Sequence, residues 1–488
     1  MKQSIFLVEP FQAPNSFKLT KDLVKFPFEN ESKRVNVQKQ LHNLAEISIG
    51  ASQFSGLFIF GLDKEQCRFT FSWFSFPTFA ASLRLGILIA TLAYHQTYKE
   101  VIDNLIDSKP LLDSVLGASE GILISTVLVS DVLGMFLMWK GRKGLELFIN
   151  QFNETLVLFA DEVKNRNWMT GWFHEVSKKA RWLVTSISII SYILTLVSIH
   201  WSLFNILLFI LGKGEATFFD WTYPIFGFFW FYILVRRLHF PAFLMTMIDK
   251  LQFGFRTVKD LVREFTGDEV GKSTLFADIR VSNAFERLDS DKKEVSRDDV
   301  DTTVTDYIRE VKLNEVVEKY RSMESLLGEF NELFSSHLII GIGSILIIML
   351  MALFHFFVEV NEGMSVVSVI FAAESVLHIW VLHSLGSSAT DMANEAEECI
   401  TLLRDVPIGK VNPVLKQKIM LHFQQALAVP LVISPGNFFS LNRQMITSVA
   451  GTLTTYLIVL IQFQSTEKNP VSESPGLQNL TSFKDTVT

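Results

Sequence analysis

Seven runs of roughly 20 mainly apolar residues, each long enough to cross a lipid bilayer, constrain this chain more than any other feature. Their approximate limits are Phe76–Tyr94, Gly121–Trp139, Trp182–Leu211, Phe218–Phe243, His337–Val358, Met364–Leu385 and Met445–Phe463. Charged residues make up 19% of the 488 residues, against about 25% in an average soluble domain. Because a lipid-facing backbone must bond within its own segment, spans of this length form helices. We predict an all-α, polytopic seven-helix membrane protein.

One further apolar run precedes these seven. Residues Ile47 to Leu62 are short for a span and rich in Gly and Ser. We therefore predict an amphipathic or re-entrant segment at the inner membrane surface rather than an eighth crossing.

The distribution of Lys and Arg predicts the orientation of the chain, because cytoplasmic segments carry an excess of both. Residues 1–75 hold nine and residues 140–181 hold eight, whereas the opposite side has only Lys99, Lys109, Lys213, Lys468 and Lys484. We predict a cytoplasmic N-terminus and, with seven crossings, an extracellular C-terminus, in a multi-pass protein of the plasma membrane.

These spans divide the chain into alternating membrane and aqueous parts. The intervening residues 311–334 and 391–427 keep helical apolar spacing, so we expect helices to continue below the membrane as cytoplasmic extensions. The acidic residues 289–306 are expected to form a flexible insertion. The predicted division is a cytoplasmic region with the re-entrant segment (1–75), four spans (76–248), a cytoplasmic linker and extension (249–336), two spans (337–386), a cytoplasmic helical anchor (387–444), the last helix (445–463) and an extracellular tail (464–488).

Several function classes find no support in the sequence. Cys67 and Cys399 are the only cysteines, so neither a disulfide framework nor a paired-cysteine metal site is expected. No two histidines have zinc spacing beside a third ligand. Nothing reads as a nucleophile elbow or a phosphate-binding loop, and the net charge of −7 does not suggest nucleic acid. We expect no enzyme, no metal and no cofactor.

The last apolar run carries the most specific motif. Residues 451–464 read GTLTTYLIVLIQFQ, in which Thr455 and Tyr456 precede five aliphatic residues and then Gln462 and Phe463. This order closely resembles the Thr-Tyr-aliphatic-Gln-Phe signature that ends the last membrane helix of arthropod gustatory receptors. Residues 436–443, GNFFSLNR, resemble the Gly-x-Phe-Phe-x-Leu-x-Arg motif that leads into the same helix. Residues 69–79, FTFSWFSFPTF, more weakly resemble the start of the first helix in the sugar-receptor branch of that family.

The resemblance implies a ligand-gated, poorly selective cation channel in which four copies of the last helix surround one pore. A pore helix at a four-fold axis should carry a polar stripe at intervals of three and four. Five residues have this spacing: Ser448, Thr452, Thr455, Val459 and Gln462. A ring of aliphatic side chains around the pore axis closes a channel by dewetting, and a ring of polar side chains lets hydrated cations pass. We hypothesise a gate near the outer end, formed by Gln462 with Val459 or Phe463. Alternatively, the hydroxyl residues only allow close helix packing and bond back to their own carbonyls.

Two charged residues lie within the predicted spans. Arg84 follows the start of the first span by eight residues, and Asp131 precedes the end of the second span by eight. At 1.5 Å per residue, both lie about 12 Å from the inner boundary, so we predict a structural ion pair. The alternative is that each snorkels or meets water separately.

Ligand-binding candidates gather in the outer half of the predicted bundle. Carboxylates and amides bind hydroxyl groups while aromatic faces cover apolar C–H groups, which suits a sugar. The candidates are Glu120 in the second span, His200, Trp201 and Asn205 in the third, Asp220, Trp221 and Tyr223 in the fourth, His355 in the fifth, and Glu374 and His378 in the sixth. An aromatic belt also explains Trp201, Trp221 and Tyr223, and Glu120 suits a helix start. Glu374 is the strongest candidate, since it lies roughly 15 Å inside its helix.

We therefore expect a chemosensory receptor for a small tastant, with membrane lipid and permeant cations as its other partners. A sugar is the first expectation for the ligand. The 44 Phe residues would equally suit a bitter or other apolar tastant. A seven-helix receptor without a pore is the rival class. The assembly is either a homotetramer or a heterotetramer with related receptors.

Overall fold

The protein is described here from a computed structural model. The described residues are 39–41, 43, 60–63, 68–72, 74–83, 111–162, 167–213, 218–267, 297–362, 366–404 and 430–468, with isolated helical residues between 86 and 93 and between 413 and 424. Several helical stretches, among them 111–120, 218–237 and 297–310, are described by their backbone alone.

Helices dominate the described residues. Seven long helices are, in chain order, α1 (Leu111–Lys140), α2 (Arg142–Glu162), α3 (Asn167–Ile210), α4 (Phe218–Gly267), α5 (Arg297–Glu362), α6 (Val366–Arg404) and α7 (Arg443–Lys468). Residues 76–83 form a further short helical segment at the start of the predicted first span. The predicted second, fourth, fifth and seventh spans lie within α1, α4, α5 and α7, and the third and sixth coincide with parts of α3 and α6 to within two residues. The helical fold expected from the sequence is confirmed.

Five of these helices are long and apolar enough to cross a membrane, judged on the described residues alone. The segments are Gly121–Lys140, Trp168–Val197, Val311–Val358, Ser368–Arg404 and Arg443–Gln462. The predicted first span is described continuously only over residues 76–83, and most side chains of the predicted fourth span lie outside the described residues, so this comparison does not test either span.

A small β-hairpin before the first predicted span differs from the sequence-based expectation. Strands β1 (Phe60–Asp63) and β2 (Arg68–Phe71) pair antiparallel, with Phe60 opposite Phe71. The Phe60 ring is fully buried and meets the Phe71 ring edge to face at 6.5 Å. The predicted re-entrant segment therefore ends in a strand, and residues 47–59 lie outside the described residues. Alternating aromatic and polar residues in Phe69-Thr70-Phe71 favour this extended conformation.

Four helices, α3 to α6, extend well beyond bilayer thickness, and α5 and α6 show what the extra length forms. α5 has 66 residues and α6 has 39, which at 1.5 Å per residue gives lengths of about 100 Å and about 60 Å. A bilayer core is only about 30 Å thick, so both helices continue as the extensions that the sequence predicts. The acidic stretch expected to be a flexible insertion is helical from Arg297 onward. For residues 297–306 that prediction is wrong, because acidic residues in the first turns, such as Asp298 and Asp299, suit the positive end of a helix dipole; residues 289–296 lie outside the described residues.

The main core of the described residues is richest in large side chains among these extensions and continues into the apolar spans, for example at Ile342 and Leu382. Fully buried aromatic side chains come from α2, α4 and α5: Phe148 and Phe152, Phe243, Phe253 and Phe255, and Tyr320 and Phe330. α4 packs mainly against α3 and α6, and α5 packs against α1 and α6. Gly254 on α4 lies so close to α5 that an added Cβ would be 2.5 Å from the Met323 sulfur. The extensions thus form a well-packed base that holds the spanning helices in register.

Candidate functional site

Helix α7 has two distinct faces within one chain. The residues of the predicted pore stripe, Ser448, Thr452, Thr455, Val459 and Gln462, are all exposed. The half-buried residues form a second stripe: Met445, Ile446, Val449, Leu453, Leu457, Leu460 and Ile461. At about 100° per residue, the two stripes are centred about 140° apart. One apolar face of α7 therefore packs against the other helices of the same chain, and the hydroxyl-bearing face points outward.

The hydroxyl groups on α7 are bonded within the helix. Thr452 Oγ1 donates to the Ser448 carbonyl and Thr455 Oγ1 donates to the Gly451 carbonyl, both at 3.0 Å. This is the back-bonding that the alternative interpretation of these residues expects. A hydroxyl oxygen that donates in this way still has lone pairs to offer to water or a cation. The bonds therefore leave the pore interpretation and the packing interpretation both open.

The predicted gate residues lie toward the far end of α7. The Gln462 side chain is exposed, as is Val459, which is 40% exposed. Phe463 belongs to the helix, but its side chain lies outside the described part of the chain. Tyr456, the second residue of the signature, is 58% exposed in the single chain.

A tight turn before α7 explains the GNFFSLNR motif. Gly436 and Asn437 both have positive φ, 56° and 58°, and an added Cβ on Gly436 would meet the Ile339 side chain at 3.1 Å. The Leu441 amide closes the turn on the Ile433 carbonyl at 2.8 Å. Phe439 packs against the main core, whereas Phe438 is 79% exposed. Glycine is therefore required where the chain reverses.

Polar side chains fix this turn and the start of α7. On α5, Asn331 donates to the Val432 carbonyl at 3.0 Å and accepts from the Ser434 amide at 3.2 Å. Asn442 caps α7 by accepting from the Met445 amide at 2.8 Å, which satisfies one of the free amides at a helix start. Sequence reasoning did not identify Asn331, because its partners lie about a hundred residues away along the chain.

The first residue of α7, Arg443, is bonded to α6. One guanidinium nitrogen lies 2.9 Å from Ser387 Oγ and 2.8 Å from the Asp391 carboxylate. The Arg443 amide donates to Thr390 Oγ1 at 3.1 Å. Close by, an added Cβ on Gly386 would lie 3.0 Å from the Asn442 carbonyl oxygen. α6 and the base of α7 are thus in direct backbone and side-chain contact.

Candidate ligand residues on α5 and α6 are buried side by side. His355 is 5% exposed, and its ring stacks on Phe371 of α6 with centroids 5.0 Å apart. Glu374, one turn further along α6, is 5% exposed, and His378 is fully buried with Nδ1 2.8 Å from the Glu374 carbonyl oxygen. Burying a carboxyl and two imidazoles between apolar helices costs free energy, and such residues commonly mark a functional site.

The other ligand candidates are less well defined by the structure. On α3, His200 is exposed and Asn205 is half-buried. Trp201 on α3, Glu120 on α1, and Asp220, Trp221 and Tyr223 on α4 lie in helices, but their side chains are outside the described part of the chain. The structure therefore brings His355 and the α6 pair together and leaves the remaining candidates as sequence-based predictions.

The predicted pairing of Arg84 with Asp131 stays a prediction. Asp131 is 4% exposed on α1, which fits a charged group that needs a partner. Arg84 lies outside the described residues.

A second polar junction links α3, α4 and α6. It includes Ser388, the residue after the Ser387 that bonds to Arg443. Lys179 on α3 donates to Ser388 Oγ on α6 at 2.8 Å and lies 3.6 Å from the Asp249 carboxylate on α4. Burial raises the pKa of Asp249, and the Lys179 ammonium opposes that change. Asp249 and Ser388 are buried. Sequence reasoning missed this junction, since its members are small or charged residues without a local motif.

Comparisons with known proteins agree with this architecture. A family model described as 7tm chemosensory receptor matches residues 47–467. The Drosophila melanogaster gustatory receptor for sugar taste 43a is 32% identical over 74 residues, which span 15% of this chain and 17% of that receptor.

Solved structures of the insect olfactory receptor OR5 from Machilis hrabei share the fold. The structure of OR5 in complex with eugenol has a TM-score of 0.58 at 13% identity, covering 88% of this chain and all of that one. A second structure of OR5 gives the same TM-score at 14% identity. The resemblance to gustatory receptors is confirmed, and receptors rather than enzymes make up the matching family. On this evidence the chain belongs to the 7tm chemosensory receptor family.

Proposed function

We propose that the chain is the subunit of a ligand-gated, non-selective cation channel of the plasma membrane, opened by a small tastant. The observation that carries this proposal is the division of α7 into a packed apolar face and an outward hydroxyl face. No residue of the α7 candidate span from Arg443 to Gln462 is buried within the chain. A membrane helix that carries polar groups and is not enclosed by its own chain needs other subunits or water around it.

Four copies arranged around an axis would surround α7 with neighbouring subunits on one side and water on the other. Ser448, Thr452 and Thr455 then face a water path, and Val459 with Gln462 narrows it near the outer end. Back-bonded hydroxyls keep lone pairs toward the axis, which favours cations over anions. The assembly is either a homotetramer or a heterotetramer with related receptors.

The ligand pocket in this proposal lies in the outer half of one subunit, around Glu374. A tastant entering it draws the helices of the bundle together and pulls the outer end of α7 away from the axis, so that cations flow inward. A ligand that prefers the open state by a few kcal/mol is sufficient for a large shift in population.

A sugar is the proposed ligand class. The sugar-taste relative of Drosophila melanogaster matches over a short segment, and the buried Glu374 with His378 offers acceptors and donors for hydroxyl groups. A bitter or other apolar tastant is the second candidate, favoured by the 44 Phe residues of the chain, which suit an apolar pocket. A calcium-imaging panel of sugars and alkaloids on the singly expressed chain separates the two.

Electrical recording tests the channel itself. In cells without the relevant G-protein machinery, a sugar from the responsive panel should evoke an inward current within milliseconds. Gln462→Ala should change single-channel conductance or closed-state leak, with Thr447→Ala, exposed on a different face of α7, as the matched control. Good surface expression without any ligand-evoked current would favour a receptor that signals through its cytoplasmic parts.

A further inference from the structure

The segment of α6 from Gly386 to Asp391 contacts helices on two sides. Ser388 bonds to Lys179 of α3, which also lies beside Asp249 of α4. Ser387, Thr390 and Asp391 bond to the first residue of α7, Arg443. We call residues 386–391 the α6 junction. Through it, the polar contacts of α3 and α4 and those of the pore helix meet within six residues of one helix.

The contacts of Arg443 are more specific than a membrane-surface arginine requires. Its guanidinium engages the Ser387 hydroxyl through two nitrogens, at 2.9 and 3.3 Å, and the Asp391 carboxylate at 2.8 Å. The side chains of Arg443 and Asp391 remain 52% and 38% exposed. Exposed ion pairs contribute little to folding stability. The arrangement therefore sets the position and direction in which α7 begins more than it stabilises the fold.

The same helix carries the strongest ligand candidates. Glu374 and His378 precede Gly386 on α6, which is one uninterrupted helix from Val366 to Arg404. At 1.5 Å per residue they lie about 18 Å and about 12 Å from the junction. A movement of α6 at the Glu374 level is thus carried as a rigid body to the α6 junction.

We propose that Arg443 is a positioning residue that fixes the base of α7 to the α6 junction, so that ligand-driven movement of α6 reaches the pore helix. This inference rests on the proposed channel function. Gly386 makes the contact possible by admitting the Asn442 carbonyl at 3.0 Å from where its Cβ would be. The outer half of α7, from Thr454 onward, keeps only a narrow apolar stripe against its own subunit. The base is held and the tip moves.

A simpler role for Arg443 makes different predictions. If Arg443 only anchors α7 to lipid headgroups at the interface, its partner on α6 is irrelevant and Arg443→Lys is neutral. If it positions α7, the geometry of the pair matters, because a lysine ammonium cannot bond Ser387 and Asp391 as a planar fork does.

The test combines two readouts on the purified full chain in lipid nanodiscs and in expressing cells. The variants are Arg443→Gln, Asp391→Asn and the exchanged pair Arg443→Asp with Asp391→Arg, with Arg404→Gln at the exposed end of α6 as control. Hydrogen exchange of residues 443–453 reports how firmly the base of α7 is held, without any ligand. Concentration–response curves for D-glucose, or for the sugar with the largest response, report the transmission.

We expect both single variants to speed exchange in residues 443–453 and to lower the maximal sugar-evoked current about tenfold at unchanged surface expression. The exchanged pair should recover most of both, and Arg404→Gln should match the wild type. Unchanged exchange and unchanged currents in Arg443→Gln overturn the inference while the channel stands. Faster exchange in Arg443→Gln, together with a well-expressed wild type that carries no current under any sugar or alkaloid, overturns the proposed function, and the transmission step with it.

Discussion

Lys250 on α4 offers a quantitative test of the packing among the helical extensions. Its side chain is fully buried, and its ammonium nitrogen donates to the Asn153 side-chain oxygen on α2 at 2.8 Å. Burial lowers the pKa of Lys250 from 10.5 to about 7. At about 1.4 kcal/mol per pH unit, this pKa change corresponds to roughly 5 kcal/mol of unfavourable free energy for the charged, folded form.

The pH dependence has a definite sign. Below pH 7, Lys250 is protonated in both the folded and the unfolded chain, and the folded state bears the whole cost. Between pH 7 and 10.5 it is neutral when folded and charged when unfolded, so the unfolded chain binds more protons and stability rises with pH. By pH 9 the cost falls to roughly 2 kcal/mol.

Replacing Lys250 with Met removes this cost and also the bond to Asn153. A buried amide left without its partner costs about 1–3 kcal/mol. We therefore expect Lys250→Met to be more stable than the wild type by roughly 2–4 kcal/mol at pH 6, and about equal to it at pH 9. Thermal unfolding of the purified protein in nanodiscs, followed between pH 6 and 9, measures the difference.

The control is Lys178→Met, which removes an exposed lysine on α3. Its effect on the unfolding temperature should be small and independent of pH. A Lys250→Met protein that is less stable than the wild type at pH 6, with a difference that does not narrow as pH rises, would refute the reasoning.

Three further predictions follow from other contacts. Gly386→Ala should weaken sugar-evoked currents by pushing the Asn442 carbonyl away from α6, whereas Gly328→Ala, which has open space around its Cβ, should not; whole-cell recording at matched surface expression compares them. Asn331→Ala should lower the unfolding free energy by about 1–3 kcal/mol, measured as a lower unfolding temperature, because it loses its two bonds to the turn before α7. Reversing Arg84 or Asp131 alone should abolish surface expression and reversing both should restore it, measured by surface biotinylation; expression that the double reversal fails to restore would contradict the pair.

The ligand site has its own prediction. Glu374→Gln should raise the sugar concentration for half-maximal current about tenfold or more, since a bond to a charged acceptor contributes about 1.5–3 kcal/mol. Glu397→Gln, an exposed glutamate on the same helix, is the control. Equal responses of the two variants would remove Glu374 from the pocket.

Local periodicity made the helices and the faces of α7 predictable from the sequence. The spacing of Ser448, Thr452 and Thr455 at four and three residues is a property of one helix, and the single chain exposes that stripe. Apolar run length likewise located the helices, because lipid sets their length. The chain is non-helical from Pro430 to Ser434 and forms a short 3-10 turn at Pro435–Asn437, as two prolines in close succession favour.

Contacts between distant segments were not predictable in this way. The Asn331 contact with the turn before α7 joins residues about a hundred positions apart, and Ser387 meets Arg443 across more than fifty. No spacing rule in one sequence encodes such pairs. The hairpin was missed for a different reason: strands of four residues beside an apolar run leave too few alternations for a period-two pattern to stand out.

Cysteine accessibility along α7 tests the central claim most directly. In a background with Cys67 and Cys399 replaced by Ser, cysteine is introduced at Thr455 or at Leu457 and a charged, membrane-impermeant thiol reagent is applied during sugar-evoked current. The account predicts rapid block at Thr455, on the outward hydroxyl face, and no block at Leu457, on the face packed against the same chain. Block at Leu457 with none at Thr455 would contradict the claim that the outward face of α7 lines a water path.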